Sequence, residues 1–114
     1  MFQRYENEGY VLVAGGWDGH HNLISSEVLG LNGHGRWRTV GDLSQRRRGL
    51  QLAVIEGGKV VATGGRAGSW TDTVDVFDIE LETWKQGPPL SHRRAYHAVT
   101  PVPLSMFNCD SPFH

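Results

Sequence analysis

Arginine and tryptophan carry the clearest chemical signals in this sequence. Arg46-Arg47-Arg48 and Arg93-Arg94 form two clusters, and Trp17 and Trp70 stand in two polar segments, Trp17–Asn22 and Arg66–Thr71. A guanidinium offers a planar fork that meets a carboxylate through two parallel N–H···O bonds. Tryptophan beside arginine in a surface segment has the composition of an interface hot spot. The candidate partner-binding residues are therefore Arg46, Arg47, Arg48, Arg93 and Arg94 from the clusters, with Trp17, His20, Arg66, Ser69 and Trp70 from the two segments. Arg48 and Arg94 lead the set because each directly precedes an expected strand. A plainer alternative stays open. The arginines would then only face solvent or pair with Asp72, Asp75, Asp78, Glu80 and Glu82, and Trp17 and Trp70 would pack on a neighbouring loop.

Other chemistries find little support. His20-His21, His34, His92 and His97 are the histidines that raise the question of a metal. Adjacent histidines on a strand point to opposite faces, and no cysteine or carboxylate recurs at ligand spacing, so no metal or cofactor is expected. The glycine pairs lack the following Gly-Lys-Ser/Thr and the helix start of a phosphate-cradling loop. No Ser/His/Asp set at a strained turn is visible, and the chain is not expected to be an enzyme.

Composition bounds what must position these residues. The 114 residues carry 11 Lys+Arg against 12 Asp+Glu, a net charge of -1, which lacks the basic excess of a nucleic-acid surface. Cys109 is the single cysteine, so no intrachain disulfide can form. Apolar runs reach only about five residues, far short of a membrane span. The first ten residues are polar and acidic, unlike a secretory signal. A soluble, cytoplasmic protein is the expectation, with no nucleic-acid or membrane partner.

The elements come from an internal repeat. Tyr10–Gly16 recurs as Lys59–Gly65, with Gly15 and Gly64 spaced by 49 residues. Glu27–Leu31 matches Asp75–Ile79 at 48, Trp37 matches Trp84 at 47, and Arg47-Arg48-Gly49 matches Arg93-Arg94-Ala95 at 46. The segments between are short, rich in Val, Leu, Ile and Trp, and bounded by Gly, Asn, Asp or Pro, which is the pattern of strands. Strands are expected near 10–14, 26–31, 36–39, 50–55, 59–63, 74–79 and 83–86, with a lone strand near 95–100. Glu56-Gly57-Gly58 makes a hairpin turn, and Gly87-Pro88-Pro89 ends a strand because proline cannot donate to a ladder. No window sustains a helical period, so no helix is expected.

A repeat of about 50 residues, with four strands, a Gly-Gly closing one and a Trp in the last, has the kelch pattern. The residues that carry the resemblance are Gly15-Gly16, Gly64-Gly65, Val28-Leu29, Val76-Phe77, Trp37, Trp84 and the two arginine clusters. Over roughly residues 10–100 the sequence resembles kelch-repeat β-propeller proteins, especially the kelch portion of BTB–kelch proteins. The resemblance implies an all-β fold: two four-stranded antiparallel blades of a propeller, incomplete. Its parts are a weak N-terminal strand or leader at 1–9, a first repeat at 10–58, a second at 59–103 with the start of a third blade, and a non-repeat tail at 104–114. Gly15, Gly16, Gly64 and Gly65 take structural roles, and Trp37 and Trp84 become core between blades.

By the same resemblance the chain is a protein-interaction module. Family pockets use arginine with serine or asparagine to hold acidic motifs, and BTB–kelch relatives are substrate adaptors of cullin-type ubiquitin ligases. Some kelch-fold proteins are copper-radical oxidases, but those need a Cys, Tyr and His constellation that Cys109 alone does not provide. The alternative is a structural one, a self-assembling propeller fragment or truncated gene product. Two blades fall short of the four to eight of a closed propeller. Protein partners, self-association or further kelch blades are therefore expected.

Overall fold

The computed structural model describes residues 9–30 and 35–102. These fold into β1 (Tyr10–Ala14), β2 (Ser26–Gly30), β3 (Arg38–Thr39), β4 (Gln51–Ile55), β5 (Lys59–Thr63), β6 (Arg66–Ala67), β7 (Ser69–Trp70), β8 (Val74–Asp78) and β9 (Thr83–Gln86). No helix occurs among them, and so none that could cross a membrane. The all-β expectation holds. Blade one is a three-stranded sheet in the order β1-β2-β3, and blade two a four-stranded sheet in the order β4-β5-β8-β9. Every pairing is antiparallel.

Local chemistry explains the turns. Gly57 and Gly58 both take positive φ between β4 and β5. Asp78 closes the turn before β9 by accepting bonds from the amides of Leu81 and Glu80 at 3.0 and 2.9 Å. Those bonds, the one from Leu81 foremost, hold its carboxyl below the usual aspartate range.

Several expectations change. Residues 95–100 form no strand: they have no ladder partner among the described residues, and Tyr96 sits at φ +56, which interrupts an extended run. Blade one shows three strands rather than four, and its expected opening strand at 1–6 lies outside the described residues, as does the tail at 104–114. The ribbon of β6 and β7 was not anticipated. The boundary between repeats at 58/59 is not the boundary between sheets. β4 pairs with β5 from Gln51↔Thr63 to Ile55↔Lys59, so blade two begins at β4.

The two blades pack face to face. Val28 of blade one and Val60 and Phe77 of blade two are buried together, ringed by Tyr10, Leu12, Val40, Leu52, Ile79 and Trp84. Phe77 and Trp84 lie 5.0 Å apart between ring centroids, tilted by 48°. The Trp84 indole N–H donates to the Ser26 hydroxyl of blade one at 3.0 Å, and that hydroxyl donates to the Gly41 carbonyl. Arg38 of β3 forks onto Glu82 at 2.6 and 2.5 Å, and with help from the Tyr10 hydroxyl it holds that carboxyl below its usual range against partial burial.

Trp84 is therefore a seam residue, as expected, but Trp37 is not. Trp37 stands one residue before β3, on the side opposite Arg38, and remains 47% exposed on the outer flank of blade one. The repeat gives it the same place in its own blade, but the described residues supply no second blade on that flank to cover it.

The double glycines meet the backbone of the following arginine cluster. A Cβ on Gly15 would stand 2.7 Å from the Arg47 carbonyl oxygen, and one on Gly64 would overlap the Arg94 carbonyl. Gly16 N–H bonds Arg47 O at 2.9 Å, and Gly65 N–H bonds Arg94 O at 2.8 Å. These bonds also correct the repeat phase. Arg47 corresponds to Arg94, at 47 residues, not to Arg93. The extra arginine in the first cluster makes a match by identity ambiguous by one residue, and the backbone contact resolves it.

Candidate functional site

Arg48 and Arg66 stand side by side. Their backbones form an isolated bridge, Arg48 N–H to Arg66 O at 3.0 Å and Arg66 N–H to Arg48 O at 2.7 Å. Each guanidinium lies over a tryptophan: Arg48 is 4.6 Å from the ring centroid of Trp17, and Arg66 is 5.5 Å from that of Trp70. Stacking of this kind orients the fork while leaving its edge available. Neither arginine has a carboxylate partner among the described residues, and the Nε of each is buried without a hydrogen bond.

The two glycine loops build this place. In the first, Trp17 and Asn22 bridge, and Leu23 N–H returns to Gly16 O at 2.9 Å. Asp18 accepts from the amides of His20 and His21, both at 2.8 Å; these bonds, His21's foremost, hold its carboxyl below the usual range. In the second loop Gly68 turns the β6–β7 ribbon, with Arg66 opposite Trp70. The Asn22 amide ties the loops together by donating to Arg66 O at 3.2 Å. Between them opens a shallow cavity of about 630 Å³, lined by Trp17, His20, His21, Asn22, Gln45, Arg46, Arg48, Arg66, Ala67 and Gly68.

Of the residues singled out from sequence, Trp17, His20, Arg46, Arg48 and Arg66 converge on this cavity. Trp70 stands behind Arg66, while exposed Ser69 lies in β7 and does not line it. Exposed Arg93 and Arg94 also lie outside it. Arg47 requires a correction, because it is fully buried and cannot present its fork to a partner. It reaches Asp75 at 3.2 Å and the Ala62 carbonyl at 3.4 Å, while Ser44 N–H and Oγ donate to the same Asp75 oxygen at 3.0 and 2.9 Å. Burial pulls the Arg47 pKa below that of a free guanidinium, and the Asp75 charge opposes that pull. The alternative weighed from sequence, pairing with the acidic stretch, describes this residue.

Sequence reasoning passed over Gln45, weighed His21 only for a metal, and treated Asn22 only as a loop neighbour. It also missed the Ser44–Asp75–Arg47 cluster, although an aspartate between two valines in β8 was a usable signal, since a buried acid requires a partner. Among the described residues no three of His, Cys, Asp and Glu are grouped closely enough to hold a metal ion.

Residues 47–91 match the kelch motif. That span runs from the buried arginine through β9 and covers blade two, so blade two carries a kelch motif, and the sequence before it repeats the same landmarks. No curated protein matches the sequence at a significant level. Among solved structures, the chain is similar to a novel fungal alcohol oxidase with catalytic diversity among the AA5 family, in complex with copper. The TM-score is 0.65 and the identity 18%, over 76% of this chain and 21% of that one. At that identity the likeness is one of fold, and this chain corresponds in length to about a fifth of the oxidase.

Proposed function

We propose that the chain is a protein-interaction segment of a kelch propeller, whose cavity between the glycine loops holds an acidic or polar peptide of a partner. The observation that supports this is the Arg48–Arg66 pair, two forks at one backbone bridge, each backed by a tryptophan and neither spent on a carboxylate. A peptide carboxylate entering there would accept parallel N–H···O bonds, with Arg46, His20 and Gln45 at its flanks. Residence in a cullin-type ubiquitin ligase adaptor, in the cytoplasm, is the finer form of this reading and rests on the resemblance to BTB–kelch proteins.

Binding of fluorescent peptides bearing two or three glutamates, against matched glutamine peptides, tests it. The glutamate peptides should bind more tightly, by about tenfold or more, as charge-assisted bonds are stronger than neutral ones. Arg48→Glu and Arg66→Glu should each abolish that preference while leaving the melt unchanged. Equal binding of the two peptide sets, or a preference that survives both substitutions, would reject the site. A second reading, a structural unit that assembles with others, is favoured by the exposure of Trp37 and Val13 on the flank of blade one.

A further inference from the structure

The seam between the blades has a counterpart at each outer flank. Ladder register defines it. Ser26, Glu27, Val28 and Leu29 of β2 stand in blade one where Val74, Asp75, Val76 and Phe77 stand in blade two. Arg38 is opposite Val28 as Lys85 is opposite Val76. At the seam, blade one offers Val28 and the Arg47 guanidinium, and blade two offers Phe77, Trp84 and Asp75.

On the outer flank of blade two the first set recurs as Val76 and Arg94, and on the outer flank of blade one the second set recurs as Leu29, Trp37 and Glu27. Glu27 and Arg94 are exposed, and Val13 and Trp37 are each 47% exposed. The flank of blade two carries a groove of about 340 Å³ at Val76, Leu81 and Lys85, beside which an incoming aromatic ring has room. The charges are complementary: one flank carries Arg94 and Lys85 beside the Lys59–Asp78 pair, whose charges cancel, and the other carries Glu27.

We propose that two copies of this chain join head to tail, the outer flank of blade two receiving the outer flank of blade one of the next copy. Arg94 of one copy pairs with Glu27 of the other, as Arg47 pairs with Asp75 within the chain. Trp37 lies against the Val76 groove, as Trp84 and Phe77 lie against blade one. The contact is heterologous, so it repeats until the rotation closes a ring. It is separate from the arginine cavity and survives or falls independently of the peptide reading.

The test is sedentation-equilibrium mass of the full chain over a range of concentrations, with charge reversals. The unaltered chain should show concentration-dependent mass above that of one chain. Arg94→Glu and Glu27→Arg should each weaken association by about tenfold or more, since like charges then face each other. The chain carrying both substitutions should recover it, because the pair is restored with its signs exchanged. Trp37→Ala should weaken association without recovery in the doubly charged-reversed chain. Far-UV circular dichroism and the thermal melt of each variant separate loss of association from loss of fold; both charge reversals are at exposed positions. A single-chain mass at every concentration overturns the proposal and leaves the flanks to another occupant. Association that ignores both reversals, or that the double substitution fails to restore, overturns it as well.

Discussion

Two pairs of corresponding residues meet opposite fates in this chain. Trp84 packs on Phe77 and bonds Ser26 across the seam, while Trp37 lies half-exposed on the outer flank. Arg47 is sealed against Asp75, while Arg94, anchored by the same backbone bonds, leaves its side chain exposed. Residue type is alike in each pair and the two arginines share the same backbone bonds, while Trp37 stands one residue before β3 and Trp84 within β9. Among the described residues, the presence of a neighbouring blade decides the difference. A repeat residue is structural by virtue of its neighbour, and the same residue without that neighbour becomes surface.

The largest contrast should come from the buried ion pair. Arg47→Ala leaves the Asp75 carboxylate buried without its cation and should cost about 3–5 kcal/mol, whereas Arg94→Ala should cost under about 0.5 kcal/mol. Urea unfolding of the two variants measures both, and equal costs would break the comparison. Next come the tryptophans. Trp84→Ala removes a ring packed at the seam and leaves Ser26 short of a donor; a loss of about 3 kcal/mol is expected, against about 1 kcal/mol or less for Trp37→Ala.

A smaller effect concerns acid. His97 stands where blade one has Leu50, each packed against a first glycine of the double pair. Burial, then the Arg94 charge, lowers the His97 pKa, against a bond to the Thr63 backbone; the Thr63 hydroxyl also bonds the ring Nε2 at 2.7 Å. The fold thus favours neutral imidazole. The stability this gives is present above the ordinary imidazole value near about 6.5 and is lost as pH falls through the lower folded value. Urea midpoints should drop between about pH 7 and pH 5, and His97→Leu, which copies blade one, should flatten that part of the slope. Smallest of all is the partly exposed Arg38–Glu82 bridge. Glu82→Gln should cost no more than about 1 kcal/mol, less in high salt, as unfolding at two ionic strengths would show.

Much of the fold was legible because its signals are local. Val-rich runs, the Gly-Gly pairs and the turn at Glu56-Gly57-Gly58 depend on neighbours in sequence, and the strands at 10–14, 59–63 and 83–86 fall where those signals put them. The fate of Arg47 was hidden because its acid lies 28 residues away on another blade, and three consecutive arginines gave no hint which one turns inward. Trp37 misled for the opposite reason, since the repeat specified its position but not its neighbour. In the cavity, Arg48, Arg66, Trp17 and His20 were identifiable by type. Gln45 was not, because only the bridge between Arg48 and Arg66 brings that loop alongside.

β4 has a further consequence. It follows blade one in the chain yet completes the sheet of blade two, through five pairs from Gln51↔Thr63 to Ile55↔Lys59. The link between them, Glu56-Gly57-Gly58, is exposed. The strand is a clasp: one covalent half of the molecule is buttoned into the other. A protease nick at Glu56-Gly57 should therefore leave two pieces that travel together on a sizing column. The same two pieces, made separately, should refold on mixing, the first donating its last strand to the open edge of the second.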